Sequence, residues 1–222
     1  MKKIFILITL SLITLVIFII YLIKQDTKIY YVDLNDYTLT DNSLNNQIVN
    51  YLKSINKLEK SINEFNLTDS RTTDLINMIK NNESIIVNKK QHTIKNVLIK
   101  ADLLVLSIGY NDFIYKIKNS SNYELYTYID QMAIHMEELF DLIRQYSKED
   151  IIFIGYYAFE NIEIYNYLDT KVENLCNKYN IYFINPNQIL DNEDISDNYV
   201  NSLGNTKIYY TIQSIIKEKI LK

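Results

Sequence analysis

The sequence predicts a three-layer α/β/α domain built on a parallel β-sheet. Four short, largely apolar runs are typical of strands buried on both faces, and they lie near residues 29–34, 103–108, 151–155 and 181–184. Amphipathic segments with helical spacing separate these runs. Strands that alternate with helices favour a parallel sheet with helices on both faces. About 195 residues are enough for one such domain, and we see no second domain or repeat.

The N-terminal segment is predicted to be a membrane anchor. Residues 4–23 contain no charged side chain, Lys2 and Lys3 precede them, and Lys24 follows. About 20 apolar residues at 1.5 Å each match a bilayer core of ~30 Å. The run exceeds the ~7–15 apolar residues of a signal peptide, and no small-residue cleavage pair follows it. We therefore expect an uncleaved single-pass anchor over residues 1–28 and a domain over residues 29–222, which the N-terminal lysines place on the extracytoplasmic side of the cell membrane.

The first half of the domain contains two predicted strands and three predicted helices. The run at 29–34 is the first strand, and a short strand is expected near Ile62–Asn66. Helices are expected at 44–58, from Thr72 onward, and at 93–100, with Thr72 or Asp69 as the cap of the second.

The second half begins with the central strand at 103–108. A long helix over 123–146 follows, with one apolar face formed by Ile129, Met132, Ala133, Met136, Phe140 and Ile143. Helices are expected at 162–179 and 203–221, on either side of the strand at 181–184. The acidic segment 191–199 is predicted to be a flexible loop.

Composition excludes several functional classes. The net charge of −4 and the pI of about 5.3 give no basic signature for nucleic-acid binding. The single cysteine, Cys176, excludes an internal disulfide and is interpreted as a buried apolar residue. The acidic residues between 191 and 197 lack His or Cys support, so they are interpreted as a solvated loop and not as a metal site. We expect no metal and no cofactor.

The most informative motif is Gly109-Tyr110-Asn111-Asp112, directly after the central strand. Ligands bind at the carboxyl ends of strands in open parallel sheets. Residues 94–112 resemble the third conserved block of the SGNH/GDSL esterases and lipases, and the likeness extends over about residues 29–222. The resemblance implies a flavodoxin-like, SGNH-hydrolase-type sheet, and it implies that Asn111 contributes to an oxyanion hole.

The first two blocks of that family depart from its pattern here. The family has Gly-Asp-Ser after the first strand, whereas this chain has Asn35-Asp36-Tyr37, so Tyr37 stands in place of the nucleophilic Ser. A phenol with a pKa of ~10 is no substitute for an activated hydroxyl. In the second block, the oxyanion-hole Gly falls at Asp69 or Ser70, before an intact Arg-Thr-Thr-Asp-Leu pattern. A carboxylate at Asp69 would oppose a developing oxyanion.

Other hydroxyls lie close to the nucleophile position. Thr38, Thr40 and Ser43 could replace the Ser only with a shift of the alignment.

The last block has also lost its catalytic pattern. The family has Asp-x-x-His-Pro-Asn-x-x-Gly at the start of the final helix. Aligned on Asn201 and Gly204, Tyr199 replaces the His and Ser196 replaces the Asp, while Asp194 and Asp197 are displaced. The chain's two histidines, His92 and His135, lie elsewhere in the sequence and are interpreted as surface or boundary residues.

Loss of the Ser and the His from such a triad removes most of its catalytic power. We therefore expect a non-catalytic binding protein of the cell envelope, leaning away from an enzyme. Asp36, Asp69 and Asn111 are the ligand-site candidates, and Tyr37 and Tyr199 are the degenerate catalytic positions.

The expected partners are the membrane and an envelope glycan, lipid or protein, and not nucleic acid. We expect Asp36, Tyr37, Asn111 and Tyr199 to converge, with the Asn111 amide aimed into a shallow pocket walled by tyrosine rings. Two alternatives stay open. One is an active SGNH-type ester hydrolase with a non-standard nucleophile, and the other is a protein-interaction module without a ligand pocket.

Overall fold

The computed structural model describes residue 9 and residues 11–18, 28–36, 42–65, 67–117, 119–157, 162–196 and 199–221. The strands are β1 (Ile29–Asn35), β2 (Leu58–Ile62), β3 (Ser84–Val87), β4 (Lys90–Thr93), β5 (Leu103–Ser107), β6 (Asp150–Ile154), β7 (Tyr182–Ile184), β8 (Ile195–Ser196) and β9 (Tyr199–Val200). The α-helices are α1 (Asn42–Ser54), α2 (Thr72–Asn81), α3 (Ile94–Lys100), α4 (Tyr110–Ile117), α5 (Asn122–Tyr146), α6 (Ile162–Lys178) and α7 (Ser202–Ile215). Short 3-10 turns occupy Pro186–Gln188 and Asn192–Asp194, and a π-helical turn, Ile216–Ile220, follows α7.

Five strands form one parallel sheet in the order β2-β1-β5-β6-β7. Alternate residues of each strand point to opposite faces, so the sheet supports two cores. Val32, Leu104 and Phe153 face a core completed by helices α2 to α6. Tyr31 and Val105 face a second core completed by α1 and α7. The predicted three-layer α/β/α fold with a parallel sheet is confirmed.

The strand predicted near Ile62–Asn66 lies earlier, at Leu58–Ile62. Helix α1 ends at Ser54, and Asn56 adopts a left-handed conformation (φ 56°) that turns the chain straight into the strand. Backbone pairing of Ile29 with Lys57 then starts the contact between β2 and β1. The prediction was wrong because β2 is an edge strand, Leu-Glu-Lys-Ser-Ile, without a continuous apolar run.

A β-hairpin formed by β3 and β4 was not predicted. Its strands pair antiparallel, and Asn88 and Lys89 both have positive φ (51° and 65°) at the two-residue turn. Two positive φ values are typical of the turns that suit a tight hairpin. β4 reads Lys-Gln-His-Thr and has no apolar run, so the short apolar run Ile85-Ile-Val87 of β3 had no recognisable partner in the sequence.

No helix among the described residues combines the length and apolar composition needed to cross a membrane. Of the predicted anchor, residue 9 and residues 11–18 are described, as helix. Its other residues, apart from residue 28, lie outside the described part of the chain. The division into residues 1–28 and 29–222 therefore stays a prediction.

Candidate functional site

The carboxyl end of the sheet brings the first and third sequence blocks together. β1 and β5 are parallel neighbours, and Asn35 lies opposite Ser107 in their register. The next residue, Asp36, is 1% exposed, and its backbone N–H donates to the Ser107 carbonyl at 2.9 Å. Asp36 therefore lies beside the start of the Gly109–Asp112 motif, as predicted. Tyr37, Thr38 and Thr40 lie outside the described residues.

The second block is tied to the third by two side chains of the motif. Asn111 is half-buried, and its Nδ2 donates to the Ser70 carbonyl at 3.2 Å. Asp112 is buried, and its Oδ2 accepts from the Thr72 N–H at 2.7 Å and the Thr72 hydroxyl at 3.0 Å. One N–H of the Asn111 amide therefore holds the second block in place, and the expectation that this amide faces a pocket walled by tyrosine rings stays a prediction.

Asp112 carries opposing electrostatic effects. Burial raises the pKa of its carboxyl, while the two hydrogen bonds from Thr72 and the nearby Arg71 and His135 lower it. The Thr72 N–H lies in the first turn of α2, where a negative charge is stabilised by the helix dipole. Asp112 therefore acts as an acceptor for the start of α2.

The predicted oxyanion-hole positions, Asp69 and Ser70, form a turn before α2. Asp69 has φ 60°, a left-handed conformation that glycine adopts without steric penalty, and its side chain is exposed. The Ser70 N–H donates to the Leu67 carbonyl at 2.9 Å, so it is used within the turn.

The predicted cap of α2 was also wrong. Arg71 is the N-cap, and its N–H donates to the Asp74 carboxylate at 2.8 Å. Thr72 is not available for capping because its hydroxyl is turned toward Asp112.

Tyr156 lies at the centre of the site, and the sequence did not single it out. It follows β6 at the same end of the sheet, is 1% exposed, and donates its hydroxyl to the Ile108 carbonyl at 2.9 Å. Burial raises the pKa of the phenol, and Asp112, Asp36 and Asp169 raise it further. The phenol therefore lies among three buried carboxyl groups.

Gly109 makes room for that phenol. Its φ is +105°, and an added Cβ would lie 2.6 Å from the Tyr156 hydroxyl and 2.8 Å from Met132 Cε. The glycine of the motif is thus required both by its backbone conformation and by the close approach of Tyr156.

Asp169 of α6 is hydrogen-bonded to the backbone of Tyr156. Its carboxylate accepts from the Tyr156 N–H at 3.3 Å and from Asn187 Nδ2 at 2.9 Å, and Asn187 also donates to the Tyr156 carbonyl at 3.1 Å. Burial raises the pKa of Asp169 to about 7. The sequence signal was a charge within the buried stripe Tyr165, Asp169, Val172 and Cys176. Cys176 is buried, as predicted.

The last block is held by an ion pair. Asp194 is 0% exposed, and its Oδ2 accepts from Lys207 Nζ at 2.7 Å and from the Asp191 N–H at 2.7 Å. Lys207 also contacts the Asp191 carboxylate at 3.1 Å. The segment 191–199 is therefore not the predicted flexible loop in its described part, which forms a 3-10 turn and the β8–β9 hairpin.

Asn201 and Gly204, on which the last block was aligned, have structural roles. Asn201 caps α7 by accepting from the N–H groups of Leu203 and Gly204. A Cβ on Gly204 would lie 2.6 Å from Val200 Cγ1, so only glycine lets the hairpin pack on the helix. The Tyr199 backbone pairs with Ser196 in this hairpin, but the structure does not describe either side chain.

Neither histidine bonds to a hydroxyl among the described residues. His92, on β4, lies 3.0 Å from Lys60 Nζ, and Lys60 pairs with Tyr30 near the start of β1, away from the carboxyl end. Burial and the charge of Lys60 lower the pKa of His92. His135 is exposed on α5. Within the described part of the chain, no cluster of His, Cys, Asp or Glu is arranged to hold a metal ion.

No protein-family model matches the chain, and no curated protein matches it. Solved structures do. The chain is similar to the lipase Lip_vut3 from a goat rumen metagenome, with 12% identity and a TM-score of 0.62 over 87% of this chain and 100% of that one. It is also similar to the esterase EstA from Pseudoalteromonas sp. inhibited by monoethylphosphonate, with 10% identity and a TM-score of 0.53 over 85% and 99% of the two chains.

A third similar structure is AlinE4, an SGNH-hydrolase family esterase, with 14% identity and a TM-score of 0.52 over 86% and 96% of the two chains. At these identities the likeness shows the fold. The chain therefore has the fold of the SGNH-hydrolase esterases and lipases, and the resemblance drawn from its sequence blocks is confirmed at that level.

Proposed function

We propose that the chain is a distant SGNH-hydrolase relative that binds a ligand of the cell envelope without hydrolysing it. The observation that carries the proposal is the ion pair between the buried Asp194 and Lys207. This pair occupies the block in which the family carries its Asp and His.

An ester hydrolase of this kind needs a base within hydrogen-bond reach of its nucleophile and an acid that orients the base. The charge of Asp194 is already compensated by Lys207 and by the Asp191 N–H. Tyr199 stands at the position of the family's His, and His92 and His135 contact no described hydroxyl. These facts support a site without a working base.

The remaining groups at the carboxyl end form a rigid scaffold that suits binding. Hydrogen bonds join Asn111 to Ser70, Asp112 to Thr72 and Tyr156 to Ile108. Side chains fixed in this way lose little conformational entropy when a ligand binds. Asp36, Asp69 and Asn111 are the proposed ligand-site residues, and the ligand class is an envelope glycan, lipid or protein.

We propose that this domain lies on the extracytoplasmic side of the cell membrane, held by residues 4–23 as a single-pass anchor. The support is the charge-free run itself and the helical segment within it. Six large apolar side chains of that segment are 51–60% exposed, namely Leu12, Ile13, Leu15, Val16, Ile17 and Phe18. An exposed apolar surface of this kind is typical of contact with lipid or another apolar partner.

Ester hydrolysis by the full-length protein in detergent tests the proposal. With p-nitrophenyl acetate, we expect no rate above the slow background from surface amines, and no difference between the wild type and Asn111→Ala. A rate that exceeds the blank and falls in Asn111→Ala would contradict the proposal and would support an active hydrolase with an unrecognised nucleophile. The Asn111 variant is needed because surface amines also cleave this ester slowly.

A further inference from the structure

A groove of about 380 Å³ runs between α1 and α7, on the helical face opposite α5. Its volume lies near the lower end of the ~300–1,000 Å³ range of small-molecule sites. The lining residues are Gln47, Asn50, Tyr51, Ser54, Tyr209 and Gln213. None of them belongs to the site at the carboxyl end of the sheet. We propose that this groove binds a short neutral saccharide.

Helix packing alone does not explain the residues of the groove. Gln47, Asn50, Tyr51 and Ser54 follow the spacing of one helix face, which two packed helices usually fill with apolar side chains. Tyr51 and Tyr209 take part in the apolar contact between α1 and α7 together with residues such as Ile48, Leu52, Ile208 and Ile212, whereas Gln47, Asn50 and Ser54 do not. The side-chain amides of Gln47 and Asn50 are therefore not needed for the packing of the core.

The polar groups of α7 are fixed before any ligand arrives. Lys217 Nζ donates to Gln213 Oε1 at 3.2 Å, and Gln213 Nε2 donates to the Tyr209 hydroxyl at 2.6 Å. The Tyr209 hydroxyl thus accepts one hydrogen bond, and it donates to none of the described residues. The Tyr209 hydroxyl, which belongs to a groove residue, can therefore donate to a ligand.

The polar groups of α1 offer both donors and acceptors. The side-chain amides of Gln47 and Asn50 make no hydrogen bond to the residues that the structure describes, and Ser54 donates to the Tyr51 carbonyl at 2.7 Å. An amide can donate and accept at once, and a serine oxygen that donates can still accept. Sugar hydroxyls also do both, so this mixture suits a saccharide better than a ligand that only accepts.

The charge and the aromatic rings of the groove fit the same ligand. No carboxylate lines it, and burial raises the pKa of Tyr51 and of Tyr209, so both phenols stay neutral at physiological pH. The rings of Tyr51 and Tyr209 meet edge to face, with centroids 6.5 Å apart. Tyr51 is buried and Lys217 Nζ lies 5.5 Å from its ring centroid, so the half-buried ring of Tyr209 is the one that offers an apolar surface. An aromatic ring beside its polar hydroxyl matches the C–H surface and the hydroxyls of a sugar ring.

The inference goes beyond envelope binding at the carboxyl end and holds whether or not that end hydrolyses esters. Saturation-transfer NMR on the full-length protein tests it, in an amine-oxide detergent because alkyl glycosides would compete. The probes are N,N′-diacetylchitobiose, cellobiose and maltose, each at about 10 mM, because weak sites of this size have Kd values in the millimolar range. We expect transfer to at least one of the three.

The variant Gln47→Ala/Asn50→Ala should weaken that binding about tenfold or more, since it removes two side-chain amides that hydrogen-bond the sugar in this account. Tyr209→Phe keeps the ring, loses the hydroxyl, and should weaken binding several-fold. Asn46→Ala is the matched control, because Asn46 is an exposed amide on the same helix outside the groove. The inference is overturned if none of the probes binds the wild type, or if the double variant binds as tightly as Asn46→Ala.

Discussion

Asp169 is a buried carboxyl group that links α6 to the end of β6, and its ionisation should affect stability. Its pKa is about 7 in the folded protein and near 3.8 when exposed. Below pH ~4 the group is protonated in both states, and above pH ~7 it is ionised in both, with the charge buried in the folded state. The unfolded state therefore releases the proton first, and stability falls as the pH rises from about 4 to about 7.

Asp169→Asn cannot ionise, so it should lose this pH dependence. Between pH ~5 and pH ~8 the wild type should lose stability as Asp169 ionises, whereas the variant should not. The difference in the free energy of unfolding, variant minus wild type, should therefore rise by about 1–3 kcal/mol over this range. Urea denaturation at several pH values measures it, with Glu193→Gln as a control for an exposed carboxylate. Parallel pH profiles for Asp169→Asn and the wild type would show that Asp169 does not titrate as described.

Gly109 and Tyr156 are coupled by their close approach, which a double-mutant cycle can measure. Gly109→Ala should destabilise the fold by about 2–4 kcal/mol, because φ is +105° and the new methyl group meets the Tyr156 hydroxyl. Tyr156→Phe removes that hydroxyl, so the two changes together should cost less than their sum. Additive losses of unfolding free energy in thermal or urea denaturation would refute the contact.

Several roles at the residue scale could not be read from the sequence. The position of Asn111 at the end of a buried strand followed from the strand pattern, but its bond to Ser70 depends on how the turn before α2 meets the start of α4. For Tyr156 and Asp169, too, the position in an element could be predicted but their contact could not. One comes after a strand and the other lies in an apolar stripe, but only the packing of α6 shows that they meet.

At the scale of elements, the start of α7 and the turn before it form one unit. Burial raises the pKa of Asp194, but the Asp191 N–H and the Lys207 ammonium more than offset this, so its pKa is lowered overall. A carboxyl group with a lowered pKa adds stability above its unfolded pKa, and this stability is lost as the pH falls.

Lys207→Met should therefore destabilise the protein by about 1–3 kcal/mol near pH 7, because it leaves a buried carboxylate without its cation. The loss should shrink near pH 3, where Asp194 is protonated in the unfolded state. Urea denaturation of Lys207→Met at both pH values checks this, with the exposed Lys53→Met as the control. An equal loss in the two variants at pH 7 would contradict the role given to the pair.

The success of prediction at this scale depended on burial. The strands β1, β5 and β6 are buried, and the sequence predicted their bounds within two residues at each end. Short, largely apolar runs of this kind are typical of strands buried on both faces. β2, the β3–β4 hairpin and the β8–β9 hairpin were misplaced or missed. Their strands are short, polar or at an edge of the sheet. Their positions depend on backbone turns and on long-range ion pairs such as Lys207–Asp194.

At the scale of the whole molecule, the predicted anchor fixes an orientation. The anchor run ends at Ile23, and β1 begins at Ile29. The residues between them can extend at most about 20 Å. We propose that the amino ends of the parallel strands face the bilayer, with the site at their carboxyl ends about 20 Å further away.

Two charge-matched cysteine variants test this orientation. Glu149→Cys lies before β6 at the amino end of the sheet, and Glu193→Cys lies at the carboxyl end. Cys176 is buried, so a fluorescent maleimide should label the introduced thiol. In vesicles that carry spin-labelled lipid, quenching should be stronger at position 149, and equal or stronger quenching at position 193 would refute the orientation.

The central claim is that an SGNH-hydrolase fold persists here without its activated nucleophile. The most direct measurement is the intact mass of the full-length protein after treatment with a fluorophosphonate. An activated Ser or Thr hydroxyl attacks the phosphorus, displaces fluoride and retains the phosphonyl group, whatever ester the enzyme prefers. The account predicts an unchanged mass. A single stoichiometric adduct, absent from heat-denatured protein and reduced in Asn111→Ala, would contradict it.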